Sequence, residues 1–306
     1  MPIKLEDSEP VARRRINPIH PVLIVGALIF LSLIFLNLDK SVPMKLRLYT
    51  NNIRYDNRNI GQDEHYWEER QPLVSESIRF HTQSGASVVC LQEVLYNQLN
   101  DILGNLNGHS DAKTWGYYGI GREDGKTKGE FSPIFFKNAD WELVSSKTYW
   151  LSQTPDKPSI GWDAVLERIV TEVILKSKDT GKKVKVLNTH FDHRGVTARK
   201  ELVKLIMSKM ELGPEPAFLC GDFNTQPTDE PYQILKDSGF TDSRIQGEIY
   251  GYNTTFSGFN HNHEDNTIID YIWAGNGTNW QSYGVVPNYF DIYMSDHRPV
   301  IADYLI

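Results

Sequence analysis

Five times after residue 45 a short apolar run breaks off into a cluster of amides, acids or imidazoles. The clusters are Asn51-Asn52, Gln92-Glu93, Asn188-Thr189-His190, Gly221-Asp222-Phe223-Asn224 and Ser295-Asp296-His297. The runs that precede them read as strands: Lys45 to Asn52 alternates apolar and polar residues, and Val88 to Gln92, Lys183 to Thr189 and Ala217 to Cys220 are rich in Val, Leu and Phe. Ser132 to Lys137, Ile169 to Lys176 and Thr267 to Trp273 read likewise. Two stretches carry helical spacing instead, Trp67 to His81 through Leu73, Val74, Ile78 and Phe80, and Thr197 to Met210 through Leu202, Leu205, Ile206 and Met210. The pattern is that of a mixed α/β domain whose polar clusters fall at strand ends, where loops carry function on a rigid scaffold. No internal repeat and no Pro/Gly/Ser-rich seam interrupts residues 45–306, so one large domain is expected there.

Taken singly, an Asp or Asn after a strand is an ordinary turn former or helix cap. Together the five clusters supply carboxylates, amides and imidazoles with almost no thiol. Only two cysteines are present, Cys90 and Cys220, each inside an apolar run where the residue serves as a small buried hydrophobe; their pairing is left open. The donor set suits a hard cation, Mg²⁺ or Mn²⁺, holding a phosphate, and not a structural zinc, which favours several Cys. A formal net charge of −7 sets net repulsion against a polyanion, and no basic run interleaved with aromatics offsets it.

The order of the motifs is recognisable. Asn52, Leu91-Gln92-Glu93-Val94, Asn188-Thr189-His190, Gly221-Asp222-Phe223-Asn224, Asp270-Tyr271-Ile272 and Ser295-Asp296-His297-Arg298-Pro299-Val300 resemble, in sequence, the endonuclease/exonuclease/phosphatase superfamily, the deoxyribonuclease-I-like enzymes. The resemblance covers residues 45–306. It implies a four-layer sandwich of two mixed β-sheets flanked by helices. It implies Glu93 and Asp296 as metal-binding carboxylates, with Asn52 as an amide that helps hold metal or phosphate. Asp222 is then the carboxylate that orients or deprotonates water, Asn224 a donor to phosphate, His190 and His297 the imidazoles flanking it, and Asp270 the partner of His297.

Other polar residues carry two readings. The loop from Gly119 to Glu130 is either a solvated glycine-rich hairpin or a second anion site through Arg122, Lys126 and Lys128; it resembles a loop in a microbial branch of the superfamily, which singles out Arg122 and Glu130 as substrate-binding candidates. Arg168 points toward phosphate in the same reading. Asp192 and His193 stand either in the site or on the surface. His261 and His263 have the spacing of a metal pair but no third soft ligand beside them.

Ahead of the domain, residues 18–38 form an uncharged stretch, almost continuously apolar from Val22 to Leu36, and long enough to span a bilayer. No A-x-A-like cleavage site follows it, so a signal anchor is expected, not a cleaved leader. Arg13-Arg14-Arg15 before the span makes residues 1–17 a cytosolic tail by the positive-inside rule, with 39–44 a short linker and the catalytic domain lumenal or extracellular. Sequons at Asn253 and Asn276 accord with that placement. The function expected is hydrolysis of a phosphate mono- or diester, on a small phosphorylated molecule or, given the tether and the sphingomyelinase-like members of the superfamily, a phospholipid head group. Nucleic acid comes behind these. A catalytically silent, membrane-anchored binding protein is the alternative of another class.

Overall fold

The computed structural model describes residues 43–306 apart from 109–112, 211–212, 261–266 and 276–277. The N-terminal tail, the apolar span, all but the last two residues of the linker, His261, His263 and Asn276 lie outside the described residues. Among the described residues no helix is long and apolar enough to cross a membrane.

The chain runs β1 (Lys45–Asn52), α1 (Trp67–His81), β2 (Ala86–Gln92), α2 (Tyr96–Leu106), β3 (Trp115–Tyr118), β4 (Ile134–Lys137), β5 (Trp141–Trp150), β6 (Ile169–Ser177), β7 (Lys183–His190), α3 (Val196–Met210), β8 (Ala217–Asp222), α4 (Glu230–Asp237), β9 (Thr241–Asp242), β10 (Tyr250–Gly251), β11 (Asp270–Ala274), β12 (Asn279–Val285), β13 (Tyr289–Phe290), β14 (Ile292–Tyr293) and β15 (Val300–Leu305). One sheet is ordered β10-β12-β15-β1-β2-β4-β3 and the other β5-β6-β7-β8-β11-β9. Each is mixed: β1 pairs with β2 and β7 with β8 in parallel, while β15 and β11 run antiparallel to them.

Side chains alternate across a strand, and here both faces are apolar. Leu46, Leu48, Val88 and Cys90 of one sheet meet Val184, Val186, Phe218, Cys220 and Ile272 of the other in a common interior. The opposite parity faces the helices: Val89 and Leu91 pack on Val74, Ile78, Leu99 and Ile102 of α1 and α2, and Leu187, Leu219 and Trp273 pack on Leu202, Ile206 and Leu235 of α3 and α4. The result is four layers, helix, sheet, sheet, helix. Truncating any of these buried leucines to alanine costs about 2–5 kcal/mol. Cys90 and Cys220 are free thiols in the interior, and burial pushes the Cys90 thiol up, so that it stays protonated.

Candidate active site

The same alternation builds the site. Following Leu46 and Leu48 in steps of two leads to Asn52; following Val88 and Cys90 leads to Gln92; Val184 and Val186 lead to Asn188 and His190; Phe218 and Cys220 lead to Asp222; and Ile272 leads back to Asp270. Register aligns these positions, with Asn52 opposite Gln92, His190 opposite Asp222, and Asp222 opposite Asp270. One end of the inter-sheet core is therefore polar. Buried amides need partners, and they find them across the sheets: Gln92 Nε2 donates to Asn188 Oδ1 at 2.7 Å, and Asn188 Nδ2 donates to the Leu91 and Pro133 carbonyls at 2.8 Å each. Above this floor opens a cleft of about 550 Å³.

At one wall His297 Nδ1 donates to Asp270 Oδ2 at 2.8 Å and lies 3.1 Å from Oδ1. Burial alone would lower the imidazole's pKa, but the Asp270 and Asp222 carboxylates override it and raise the value to about 10. His297 is thus a buried cation whose Nε2 stands 3.7 Å from Asp222 Oδ2. His190 sits on the other side of the same carboxylate, with Nε2 3.4 Å from Asp222 Oδ2. Burial and then the nearby Arg168 charge lower its pKa to about 3. His190 is therefore neutral, its Nε2 accepting from Asn224 Nδ2 at 3.1 Å while the same amide also donates to the Phe191 carbonyl at 3.0 Å. Asp222 Oδ1 accepts from the Asn224 backbone N–H at 2.9 Å. Burial raises the Asp222 carboxyl against the pull of the two imidazoles. Environments that drive neighbouring titratable groups apart mark acid and base roles.

The third wall is acidic. Glu93 Oε1 accepts from Asn52 Nδ2 at 3.0 Å and Oε2 from the Tyr55 N–H at 3.0 Å, and Asn52 Nδ2 also reaches Asp222 Oδ2 at 3.0 Å. The Asn52 amide thus ties the acidic wall to the central carboxylate, its Oδ1 held by the Arg54 N–H at 2.9 Å. Burial first, and Glu93 as a like charge, raise the Asp296 carboxyl, while His297 and Arg54 pull it down. Two half-buried carboxylates on one cleft wall, close enough for like-charge repulsion, with an amide beside them and no thiol, fit a hard divalent cation. Asp222, Asp270 and His297 also bring ligand atoms within 4.8 Å of one another. A charged imidazole has no free lone pair for a metal, so in this cluster the hydrogen-bonded couple accounts for the geometry better than an ion does.

Glu130, Arg168 and His193 line the cleft. Arg122 is not among the lining residues; it is buried behind Glu130 and donates from Nη1 to Glu130 Oε2 at 2.8 Å. Its loop is a tight backbone hairpin, with the Arg122 N–H on the Glu130 carbonyl and a Cβ at Gly121 leaving only 2.2 Å to the Lys128 carbonyl oxygen, so a side chain there is excluded. Lys126 and Lys128 are exposed. Asp192 is buried, not on the surface, and accepts the Val165, Arg194 and Gly195 N–H groups. Asn253 is exposed while the Thr255 of its sequon is buried, its Oγ1 accepting the Ile269 and Asp270 N–H groups at 3.0 Å each. Sequence reasoning missed Arg54, Tyr55, Leu166, Phe256, Thr267 and Ile269 on the cleft wall. Phe256 packs edge-on against the His297 ring at 5.0 Å between centroids. Three wall residues other than glycine hold left-handed backbone, Arg54 at φ 58°, Glu93 at 60° and Asn224 at 43°. Such strain gathers where surrounding structure over-determines a functional position.

A sandwich with acids, amides and unequal imidazoles at one mouth defines a class of hydrolase scaffold. The chain belongs to the endonuclease/exonuclease/phosphatase family, whose sequence profile matches residues 73–297; members of that family typically hydrolyse phosphoester bonds and generally use divalent metals. Among solved structures it is similar to an endonuclease/exonuclease/phosphatase family protein from Bacteroides thetaiotaomicron, at TM-score 0.80 and 34% identity over 87% of this chain and 99% of that one. A mannosyl-6-phosphatase from the same organism is similar at TM-score 0.77 and 33% identity, covering 85% of this chain and all (100%) of that one. The chain spans only part of the curated relatives it matches: it covers 62% of an uncharacterized protein of Acanthamoeba polyphaga mimivirus, 29% identical over 50% of this chain. It spans 42% of the CCR4-Not complex 3'-5'-exoribonuclease subunit Ccr4 of Aspergillus niger, 23% identical over 69% of this chain.

Proposed function

We propose that the chain hydrolyses a phosphoester of a small phosphorylated molecule by in-line attack of water, assisted by Mg²⁺ or Mn²⁺ held at Glu93, Asp296 and Asn52. One observation carries the reading. The Asp222 carboxylate stands between a neutral imidazole 3.4 Å away and a charged one 3.7 Å away, and the Asn52 amide joins it to the acidic wall. Asp222 orients the attacking water and takes its proton, a task favoured by the burial that raises its carboxyl. The water oxygen bonds to phosphorus as the ester oxygen leaves. Asn224 and the neutral His190 position the phosphate oxygens. His297, kept protonated by Asp270, holds its Nε2 proton toward the developing negative charge or the leaving oxygen. The bound cation supplies neutralisation of charge on the phosphoryl group.

The cleft volume of about 550 Å³ is in the range of small-molecule sites, and the acidic chain suits a compact substrate over a polyanion. Similarity to a mannosyl-6-phosphatase supports a sugar phosphate. A phospholipid head group is the companion reading if residues 18–38 anchor the chain, with its N-terminus cytosolic and the catalytic domain lumenal or extracellular. The Ccr4 similarity supports a nuclease as the alternative. The full chain assayed on sugar phosphates, inositol phosphates, phospholipid and DNA, with Mg²⁺ and with EDTA, separates these. Phosphate release that needs metal and occurs on a small phosphoester is expected; turnover undiminished by EDTA, or confined to DNA, sinks the proposal.

A further inference from the structure

We propose that Arg168 reads the third non-bridging oxygen of a phosphate monoester and thereby makes the cleft selective for monoesters over diesters. The buried arginines of this protein differ in a way that singles it out. Arg70 is 1% exposed and spends its whole guanidinium on backbone carbonyls, those of His65, Ile53, Met294, Arg54 and Tyr55. That is a structural arginine. Arg168 is 3% exposed and lines the cleft, yet among the described residues its guanidinium's hydrogen bond runs from Nη2 to His193 Nδ1 at 3.1 Å, and Nε and Nη1 have none. Asp192 stands 3.5 Å from Nε. Its carboxylate is already shared among three backbone N–H groups, so it steers the guanidinium without using up its donors.

The same cleft holds a further donor without a hydrogen bond, His190 Nδ1, which stands 3.7 Å from Glu130 Oε2, and Arg122 Nε behind Glu130 has none either. Buried donors left unpaired are costly, and their concentration beside the reacting centre points to an oxyanion that satisfies them. A guanidinium meets phosphate oxygens in a fixed fork. With the proposed cation at Glu93 and Asp296 and the donors of Asn224 and His297 taking two oxygens of a bound phosphate, Arg168, which lines the same cleft, is free for the remaining one. A monoester presents a third anionic oxygen there. A diester presents an ester oxygen carrying carbon, a poorer acceptor that has to fit against Arg168, Glu130 and Leu166.

This inference rests on the phosphoesterase reading and is tested so that the two fail differently. The full chain, Arg168→Gln and Arg168→Lys are compared with Mg²⁺ on p-nitrophenyl phosphate and bis-p-nitrophenyl phosphate, with folding checked by circular dichroism and inorganic phosphate binding measured by calorimetry. Wild type should prefer the monoester. Arg168→Gln should lower the ratio of monoester to diester kcat/KM by about 10²-fold, as for removal of one preorganised donor, and should weaken phosphate binding. Arg168→Lys should fall between, because it keeps the charge and loses the fork. A wild-type preference for the diester, or equal losses on both substrates, overturns the assignment and leaves phosphoester hydrolysis standing. If Arg168→Gln does not fold, Arg168→Lys alone decides by the same ratio. No metal-dependent turnover of either substrate takes both readings down.

Discussion

Two histidines of the same chemical type end up in opposite charge states less than 4 Å from one carboxylate, and their neighbours decide which is which. His297 faces Asp270 and stays protonated; His190 faces the Arg168 charge in a buried wall and stays neutral. If Asp270 acts through His297, Asp270→Asn and His297→Ala should each lower kcat by roughly 10²–10⁴-fold, and the Asp270→Asn effect should largely vanish in the His297→Ala background. Additive losses in that double-mutant cycle, with all four proteins folded alike by circular dichroism, would refute the couple. Of the candidate residues, Asn52, His190 and Asp222 were legible in the sequence because each ends an apolar run that forms a strand, while Asp270 opens its strand and His297 lies between strands, so that the family's motif order and not periodicity marked them. Arg54, Phe256 and Thr255 were not legible. Arg54 reaches the cleft through a left-handed turn, and Phe256 through a loop that also holds the buried Thr255 and whose path is set by backbone bonds to Thr267 and Arg298 and by the Thr255 hydroxyl on the Asp270 N–H. No local pattern in the sequence encodes those approaches.

Among the elements, β1 and β15 show how a charged pair can fix register at the centre of a sheet. Arg47 and Asp303 are direct cross-strand partners, with Nε on Oδ1 and Nη2 on Oδ2 at 2.7 Å each. Burial opposes the Asp303 charge, but hydrogen bonds from Arg47 and Ser282 outweigh it and hold the carboxyl below its ordinary value. A folded pKa below the unfolded one adds stability that is present above the unfolded value of about 3.9 and is lost as pH falls through the folded one. Asp303→Asn should therefore cost about 1 kcal/mol near neutral pH, the upper end for a partly exposed pair, and the difference in Tm from wild type should close in acid. A constant difference from pH 7 down to 2 would remove Asp303 from the pH dependence. β15 itself was not read as a strand from the sequence, nor were β5 and α2. Between its buried ends β5 is largely exposed, and its stretch Glu142 to Lys147 places Leu143 and Val144 side by side among polar residues, so no apolar alternation reveals it. Tyr96–Leu106 is rich in Asn and contains Gly104, poor helix formers; packing of Leu99, Ile102 and Leu106 makes it a helix.

At the scale of the molecule the proposed anchor and the proposed metal site make separate demands. Residues 18–38 with Arg13-Arg14-Arg15 before them call for a catalytic domain protected inside sealed vesicles, and digestion of that domain by protease added outside, on the cytosolic face, would overturn the topology. The metal site makes a thermodynamic demand. Glu93 and Asp296 lie close enough for like-charge repulsion, and Asp222 is bridged to the same wall through Asn52, so folding without a cation brings like charges together in a partly buried place. A cation bound only by the native state stabilises it by mass action, about 2.7 kcal/mol at a hundredfold excess over Kd. For a domain of this size each kcal/mol moves Tm by about 2–4 °C, so saturating Mg²⁺ or Mn²⁺ should raise Tm by roughly 5–10 °C over EDTA by that arithmetic. Glu93→Gln relieves the repulsion and removes a ligand at once. Its Tm in EDTA should match or exceed that of wild type, its metal-induced rise should shrink, and more metal should be needed for turnover. Scanning calorimetry on the two proteins measures all the stability terms together; an identical metal response in Glu93→Gln would place the cation elsewhere than on the acidic wall.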